Sequence, residues 1–397
     1  MTAPCRLAAE AGTPRPPALL YLASVAGLSP LGLNVAVGLQ PILAAGEPMD
    51  AGGRAAAVAV YALGLGLGQP AAGDAADRWG RRPTILAGLA LAGAGALLAA
   101  CATGGVALLA GRFVTGLGLA SCLVVPRASL RDLHQGSALQ RSMAILSVVF
   151  AIAPAVTPPL AWLLAQLFGW RAPLVLIAWL VGACGIAAWR SHRETRPAAT
   201  SVPDRASWSL LVRTRSVQRT SLALAGAAAP FFIVAAAGPA ALRESTGAGP
   251  GLVALLLGGS YLGFALGNQW VRRAAAVPSR IHMAHGLGVV GIGIALLAAT
   301  LAWPAVWLWG LALTLCAIGH GVVFPAAFSL VLQDLPKQAG LATAAIGTVH
   351  MSTGAASAWI AGSLPLSPQV AVVSMAALLV AGGCAAWFLF PLAKDRT

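Results

Sequence analysis

The stretch GQPAAGDAADRWGRRPTIL, residues 68–86, places Asp74, Asp77, Arg78, Arg81 and Arg82 between two runs made almost wholly of Ala, Gly and Leu. Only 9% of the chain is charged, so this is a dense polar island. The apolar runs on either side are each about 20 residues long, which at about 1.5 Å per helical residue matches a hydrocarbon core of roughly 30 Å. The island therefore reads as a water-facing turn between two membrane spans. The rest of the 397 residues follows suit, with 58% hydrophobic residues and a mean hydropathy of +0.82. Twelve apolar stretches can be placed, at about 18–43, 55–73, 84–102, 104–126, 142–168, 172–190, 218–241, 250–271, 281–301, 303–328, 340–362 and 369–391.

A formal charge of +14 raises the question of a nucleic-acid partner, but the placement of the 25 Lys and Arg residues answers it. With both termini in the cytoplasm, that side receives Arg6, Arg15, Arg78, Arg81, Arg82, Arg127, Arg131, Arg141, the cluster over 190–219, Arg272, Arg273, Arg280, Lys337, Lys394 and Arg396. Only Arg54, Arg171 and Arg243 fall opposite, and Arg112 lies within a span. This is the positive-inside pattern, and it predicts a multi-pass protein of the inner membrane with both termini cytoplasmic and no nucleic-acid partner. The opening MTAPCRLAAEAGTPRPP has no apolar core of its own, so no cleaved signal peptide is expected. Cys5, Cys101, Cys122, Cys184, Cys316 and Cys384 show no ligand spacing, and neither a disulfide nor a metal site is expected.

The longest polar segment, RSHRETRPAATSVPDRASWSLLVRTRSVQR at 190–219, divides the spans into two sets of six. YALGLGLGQ (61–69) aligns with YLGFALGNQ (261–269), pairing Tyr61 with Tyr261 and Gln69 with Gln269. PRASLRDL (126–133) and PAAFSLVLQDL (325–335) close spans four and ten at a similar offset. These matches predict an all-α membrane protein of twelve transmembrane helices in two pseudo-symmetric six-helix bundles. The divisions are a tail at 1–17, bundles at 18–190 and 218–391, a linker at 191–217 and a tail at 392–397. The halves would rock about a central midplane site, as in secondary transporters. No P-loop, nucleophile–base arrangement or His/Cys/carboxylate cluster is present in the sequence, so neither an enzyme nor a cofactor is expected.

Residues 73–82 read Gly-x-x-x-Asp-Arg-x-Gly-Arg-Arg, which resembles the signature loop of the major facilitator superfamily. Gly73 and Gly80 would allow close approach and a tight turn, and Asp77 would pair with arginines or sit at a helix N-terminus. The resemblance implies that Gly73, Asp77, Arg78, Gly80, Arg81 and Arg82 form a conformational latch between the halves. GRFVTGLG (111–118) resembles the family's span-four arginine motif, with Thr115 where glutamine is usual. PRASLRDL and APAVTPPLAWLLAQLFGWRAP (153–173) are similar to segments of the bicyclomycin/chloramphenicol (Bcr/CflA) drug:proton antiporters, and GLATAAIGTVHMSTGA (340–355) fits that branch too. The second of these marks Pro154, Pro158 and Pro159 as the antiporter-motif helix. In GLSPLGLNVAVGLQP (27–41), Asn34 stands where the branch usually has aspartate.

All eleven carboxylates fall in loops, termini or span ends, which leaves Arg112 as the intramembrane charge. A charge there is costly and should face a cavity or a polar partner. Arg112 and Asn34 both lie roughly 12 Å from the outer ends of their helices and could meet, orienting a ligand without carrying a proton. Packing of Asn34 and satisfaction of Arg112 by helix carbonyls is the alternative. His320 and His350 are the proton-coupling candidates, because imidazole titrates near neutral pH, against ordinary buried histidines as the alternative. Tyr61, Tyr261, Phe231, Phe232 and Trp162 offer stacking surface for an amphipathic solute, while Trp170, Trp189, Trp270 and Trp303 read as interfacial anchors. The expected substrate-binding set is thus Asn34, Arg112, Tyr61, Tyr261, Phe231 and Phe232. The expectation is a monomeric secondary transporter whose partners are the bilayer, a small amphipathic compound and protons. A metabolite facilitator or importer is the alternative, and a non-transporting receptor or scaffold a remote one.

Overall fold

The computed structural model describes residues 16–46, 51–134, 136–196, 214–274, 276–335 and 339–389. The tail at 392–397, most of the tail at 1–17 and most of the linker at 191–217 lie outside the described residues. Thirteen helices are present among them: α1 (Pro16–Gly46), α2 (Ala51–Trp79), α3 (Arg81–Ala100), α4 (Gly105–Leu133), α5 (Gly136–Phe168), α6 (Ala172–Ser191), α7 (Arg215–Thr246), α8 (Pro250–Ser260), α9 (Leu262–Arg273), α10 (Ser279–Ala299), α11 (Val306–Asp334), α12 (Ala339–Ser363) and α13 (Pro368–Phe388). Helix is what a lipid-embedded backbone requires, since each N–H and C=O must find its partner within the segment. The eighth span is broken at Tyr261 into α8 and α9, where the chain takes a tighter turn with Tyr261 N–H donating to Gly258 O at 3.2 Å. Several helices outrun their apolar stretches. α4 reaches Leu133 rather than 126 and α11 reaches Asp334 rather than 328, because a polar end can stay helical in water.

Eleven spans are long and apolar enough to cross a membrane by length and composition. The twelfth, α12, has 25 residues and is long enough to span at roughly 38 Å. Its hydropathy is diluted by Thr348, His350, Ser352, Thr353 and Ser357. Helix α12 packs on α2 and α7 in the interior, so its polar residues are spared contact with lipid.

Helices α1–α6 pack mainly among themselves and α7–α13 do likewise. Matching crossings recur: α2 and α3 lie on α4, and α9 and α10 lie on α11. Both crossings use glycine to bring backbones together. A Cβ on Gly116 would collide with the carbonyl of Tyr61, and one on Gly321 with that of Phe264. The halves meet along α2·α12 and α5·α8, two seams related by the internal duplication. At the first, Thr348 Oγ1 donates to Gly66 O at 3.4 Å, and at the second Gly258 lies on Ala155 and Pro159.

Candidate functional site

The polar island is the short turn the sequence predicted. Gly80 alone separates α2 from α3, at φ 110°, where a side chain would be strained. Gly73, by contrast, lies within α2 with nothing near enough for close approach to matter. Arg81 Nη1 donates to Asp77 Oδ1 at 2.5 Å and its Nε to Asp132 Oδ2 on α4 at 3.0 Å. Arg78 pairs with Asp74 at 2.8 Å. Sequence reasoning missed Glu194, just after α6. Its Oε1 accepts from Arg81 N–H at 2.9 Å and its Oε2 from Arg82 N–H at 3.1 Å, which places an anion on the N-terminus of α3. Arg82 donates to Trp189 O at 2.8 Å, and Arg196 Nη1 donates to the carbonyls of Asp77 and Arg78 at the end of α2. All these partners belong to the first half and the start of the linker, none to the second half among the described residues.

Partial burial opposes the charge on Glu194, but backbone N–H groups of Arg81, Arg196, Arg82 and Thr195 outweigh it and hold the carboxyl below its usual 4.5. A carboxyl depressed in the folded state adds stability above its unfolded value and loses it as pH falls through the folded one. The melting temperature of the wild-type chain is therefore expected to drop between about pH 5 and pH 3. Glu194→Gln, measured in the same detergent, should start lower and fall less over that range. Equal slopes would remove Glu194 from the account.

Arg112 is buried at 2% exposure and does not line the cavity between the halves described below. Its Nη1 donates to Gly32 O at 2.6 Å, its Nε to Ala57 O at 3.2 Å and its Nη2 to Leu33 O at 3.4 Å. The guanidinium lies 4.5 Å from the centre of the Tyr61 ring. Tyr61 in turn donates to Ser29 O at 2.7 Å, and Ser29 Oγ to Leu119 O at 2.8 Å. In this structure carbonyls of α1 and α2 absorb the charge of Arg112, and Arg112 and Tyr61 together stitch α1, α2 and α4. Arg112 does reach the level of Asn34, yet binds the neighbouring backbone and leaves the amide alone. Trp162 likewise packs on Gly251 at the α5·α8 seam, away from the centre.

The other expected residues converge. A cavity between the halves is lined by Ser29, Pro30, Leu33 and Asn34 of α1, Leu65 of α2, and Phe150 and Pro154 of α5. The second half supplies Phe231, Phe232, Tyr261, Phe264, His320, Phe324, His350 and Met351. Pro158 and Pro159 sit one turn on from Pro154, against Gly38 of α1 and Gly258 of α8. The rings of His320 and His350 lie 5.5 Å apart, with Phe264 5.1 Å from His320 and Phe232 5.5 Å from His350. Four buried polar atoms of residues on this wall have no hydrogen-bond partner among the described residues: Asn34 Oδ1, Tyr261 Oη and the Nε2 atoms of His320 and His350. Asn34 spends its Nδ2 on Pro30 O at 2.9 Å, while its Oδ1 is left without a partner. Such orphaned groups are costly in a dry interior and mark where a polar ligand or water would be held. Phe150, Phe264 and Phe324 were not singled out in the sequence, where an inward phenylalanine reads like a lipid-facing one.

A second cavity adjoins the first on the side of Arg81, lined by Ala26, Leu123, Arg127, Leu146, Phe150, Phe264, Asn268 and Phe324. The space open to water-sized molecules is about 50 Å³ in the centre and about 80 Å³ in this vestibule. That accommodates a few waters, far less than a drug-sized solute needs. Loading the site requires the halves to move apart.

A helical bundle in two related halves, with an aromatic, partly unsatisfied cavity on the seam, defines a carrier that works by alternating access. The chain belongs to the Major Facilitator Superfamily, whose family model matches residues 22–358. It is 28% identical over 342 residues to the multidrug resistance protein MdtL of Citrobacter koseri, covering 84% of this chain and 85% of that protein. It is also 28% identical over 366 residues to MdtL of Escherichia coli O157:H7, covering 86% and 87%. A bacterial homologue of the human lysosomal transporter Spinster, solved inward-facing and occupied, shares the fold with a TM-score of 0.72 at 18% identity over 96% of this chain and 97% of that one. Its unoccupied form gives 0.69 at 16% identity over 94% and 96%. The chain is thus a multi-pass membrane transporter and not an enzyme.

Proposed function

We propose that this transporter expels small amphipathic compounds across the inner membrane in exchange for protons, working as a monomer. The observation that carries this reading is the pair of unpaired imidazoles of His320 and His350, 5.5 Å apart on the cavity wall. Imidazole exchanges a proton near neutral pH once water reaches it, and among the described residues no carboxylate lines the cavity to do so instead. The walls of Phe231, Phe232, Phe264 and Phe324 take the apolar body of the solute, while Asn34 Oδ1 and Tyr261 Oη take its polar groups. The multidrug resistance names of the MdtL relatives support drug-like solutes.

The arginine distribution supports a cytoplasmic position for the Arg81 end and for both termini. The halves at 18–190 and 218–391 are the moving bodies, tethered by 191–217. Gly73, Asp77, Arg78, Gly80, Arg81 and Arg82 form the latch region, which the Glu194 and Asp132 contacts hold as one rigid end of the first half. A second reading, a facilitator or importer of a specific metabolite, is favoured by the neutral Asn34 on α1. The test is uptake of a drug panel by proteoliposomes with and without an imposed pH gradient. Gradient-dependent accumulation is expected, and equal flux in both conditions would favour the facilitator.

A further inference from the structure

The arginines set among the helices differ in how their charge is met. Arg112 has three carbonyl acceptors, Arg81 has two carboxylates, and Arg219 donates twice to Trp387 O while lying 3.9 Å from the Trp387 ring centre. Arg127 is the exception. It sits inside α4, about two turns from its end, and lines the vestibule. Among the described residues its guanidinium meets only the face of Phe150, at 5.7 Å from the ring centre, with no carboxylate or carbonyl bonded to it. A ring face is a weak substitute for an anion, and Arg127 is only partly buried on the vestibule wall, which leaves its guanidinium accessible to a ligand there. Phe150, Phe264 and Phe324 belong to both the vestibule and the central cavity, so a single solute can touch Arg127 and the aromatic walls together.

We infer that Arg127 is a specificity-determining residue and that the preferred solutes are aromatic anions. Their ring lies among Phe150, Phe264 and Phe324, and their carboxylate or similar planar-headed group lies on the guanidinium fork. A guanidinium pairs bidentately with a carboxylate, a geometry that an alcohol cannot match and that an ammonium group opposes. The inference rests on the transport reading above and adds the charge class of the solute. The charge of Arg112, by contrast, is already spent on backbone carbonyls.

Three probes with one ring system and different charge test it: 1-naphthoate, 1-naphthylmethanol and 1-naphthylmethylamine, titrated against the purified full-length protein. The expected ranking has naphthoate bound at least about tenfold tighter than the alcohol, with the amine weakest. Arg127→Gln should bring the naphthoate-to-alcohol ratio to within about twofold, with its melting temperature and elution profile in detergent checking that the variant is folded. Arg127→Lys should retain part of the preference. Equal binding of the three probes by the wild type, no binding of any, or an unaltered ratio in Arg127→Gln would each overturn the inference. Because binding is read without flux, charge-blind binding alongside gradient-driven drug uptake rejects the anion preference alone. Intact charge ranking without such uptake rejects the proton-coupled reading alone.

Discussion

Replacing His320 and His350 together by glutamine is expected to cut proton-gradient-driven transport at least about tenfold, the scale on which a positioned proton-transfer group acts. The two rings share one wall, 5.5 Å apart, so each stands where the other's charge would be felt. A single substitution should leave part of the coupling and shift its pH dependence. Glutamine keeps a polar side chain of similar length but does not titrate, so solute binding should survive while the gradient loses its grip. The decisive measurement is uptake into proteoliposomes as a function of internal and external pH. A double variant that follows the wild-type pH profile would remove the pair from coupling.

The second large effect is on stability. Arg112→Ala deletes three donors to Gly32, Leu33 and Ala57 carbonyls and empties the face of Tyr61. Hydrogen bonds from a charged group contribute about 1.5–3 kcal/mol each, so the loss should be on the order of 3 kcal/mol or more. It should appear as a lower melting temperature in detergent and lower yield of folded protein. Arg112→Lys should not rescue it, because one ammonium cannot span three carbonyls on two helices. A variant with wild-type stability and weakened solute binding would return Arg112 to the binding site.

What the sequence determined by itself follows from the solvent. Hydrocarbon forces long apolar runs and confines charge to their ends, so spans, the 68–86 turn and the duplicated plan were legible one residue at a time. Asn34, Tyr261, Phe231, Phe232, His320 and His350 were found because a polar or aromatic residue in an Ala/Leu span stands out. The facing of each residue was not legible, since hydropathy is the same toward lipid and toward a cavity, as Phe150, Phe264 and Phe324 show. Tyr61 and Tyr261 align in sequence, yet one is tied to Ser29 beneath Arg112 and the other lines the cavity with a buried hydroxyl that has no partner among the described residues. The acceptors of Arg112 are backbone carbonyls, which every residue has and no sequence pattern advertises. Arg127 looked like a loop residue because the apolar run stops at Pro126. Only the continuation of α4 to Leu133 placed that arginine on the vestibule wall beside Phe150 of α5 and Phe264 of α9.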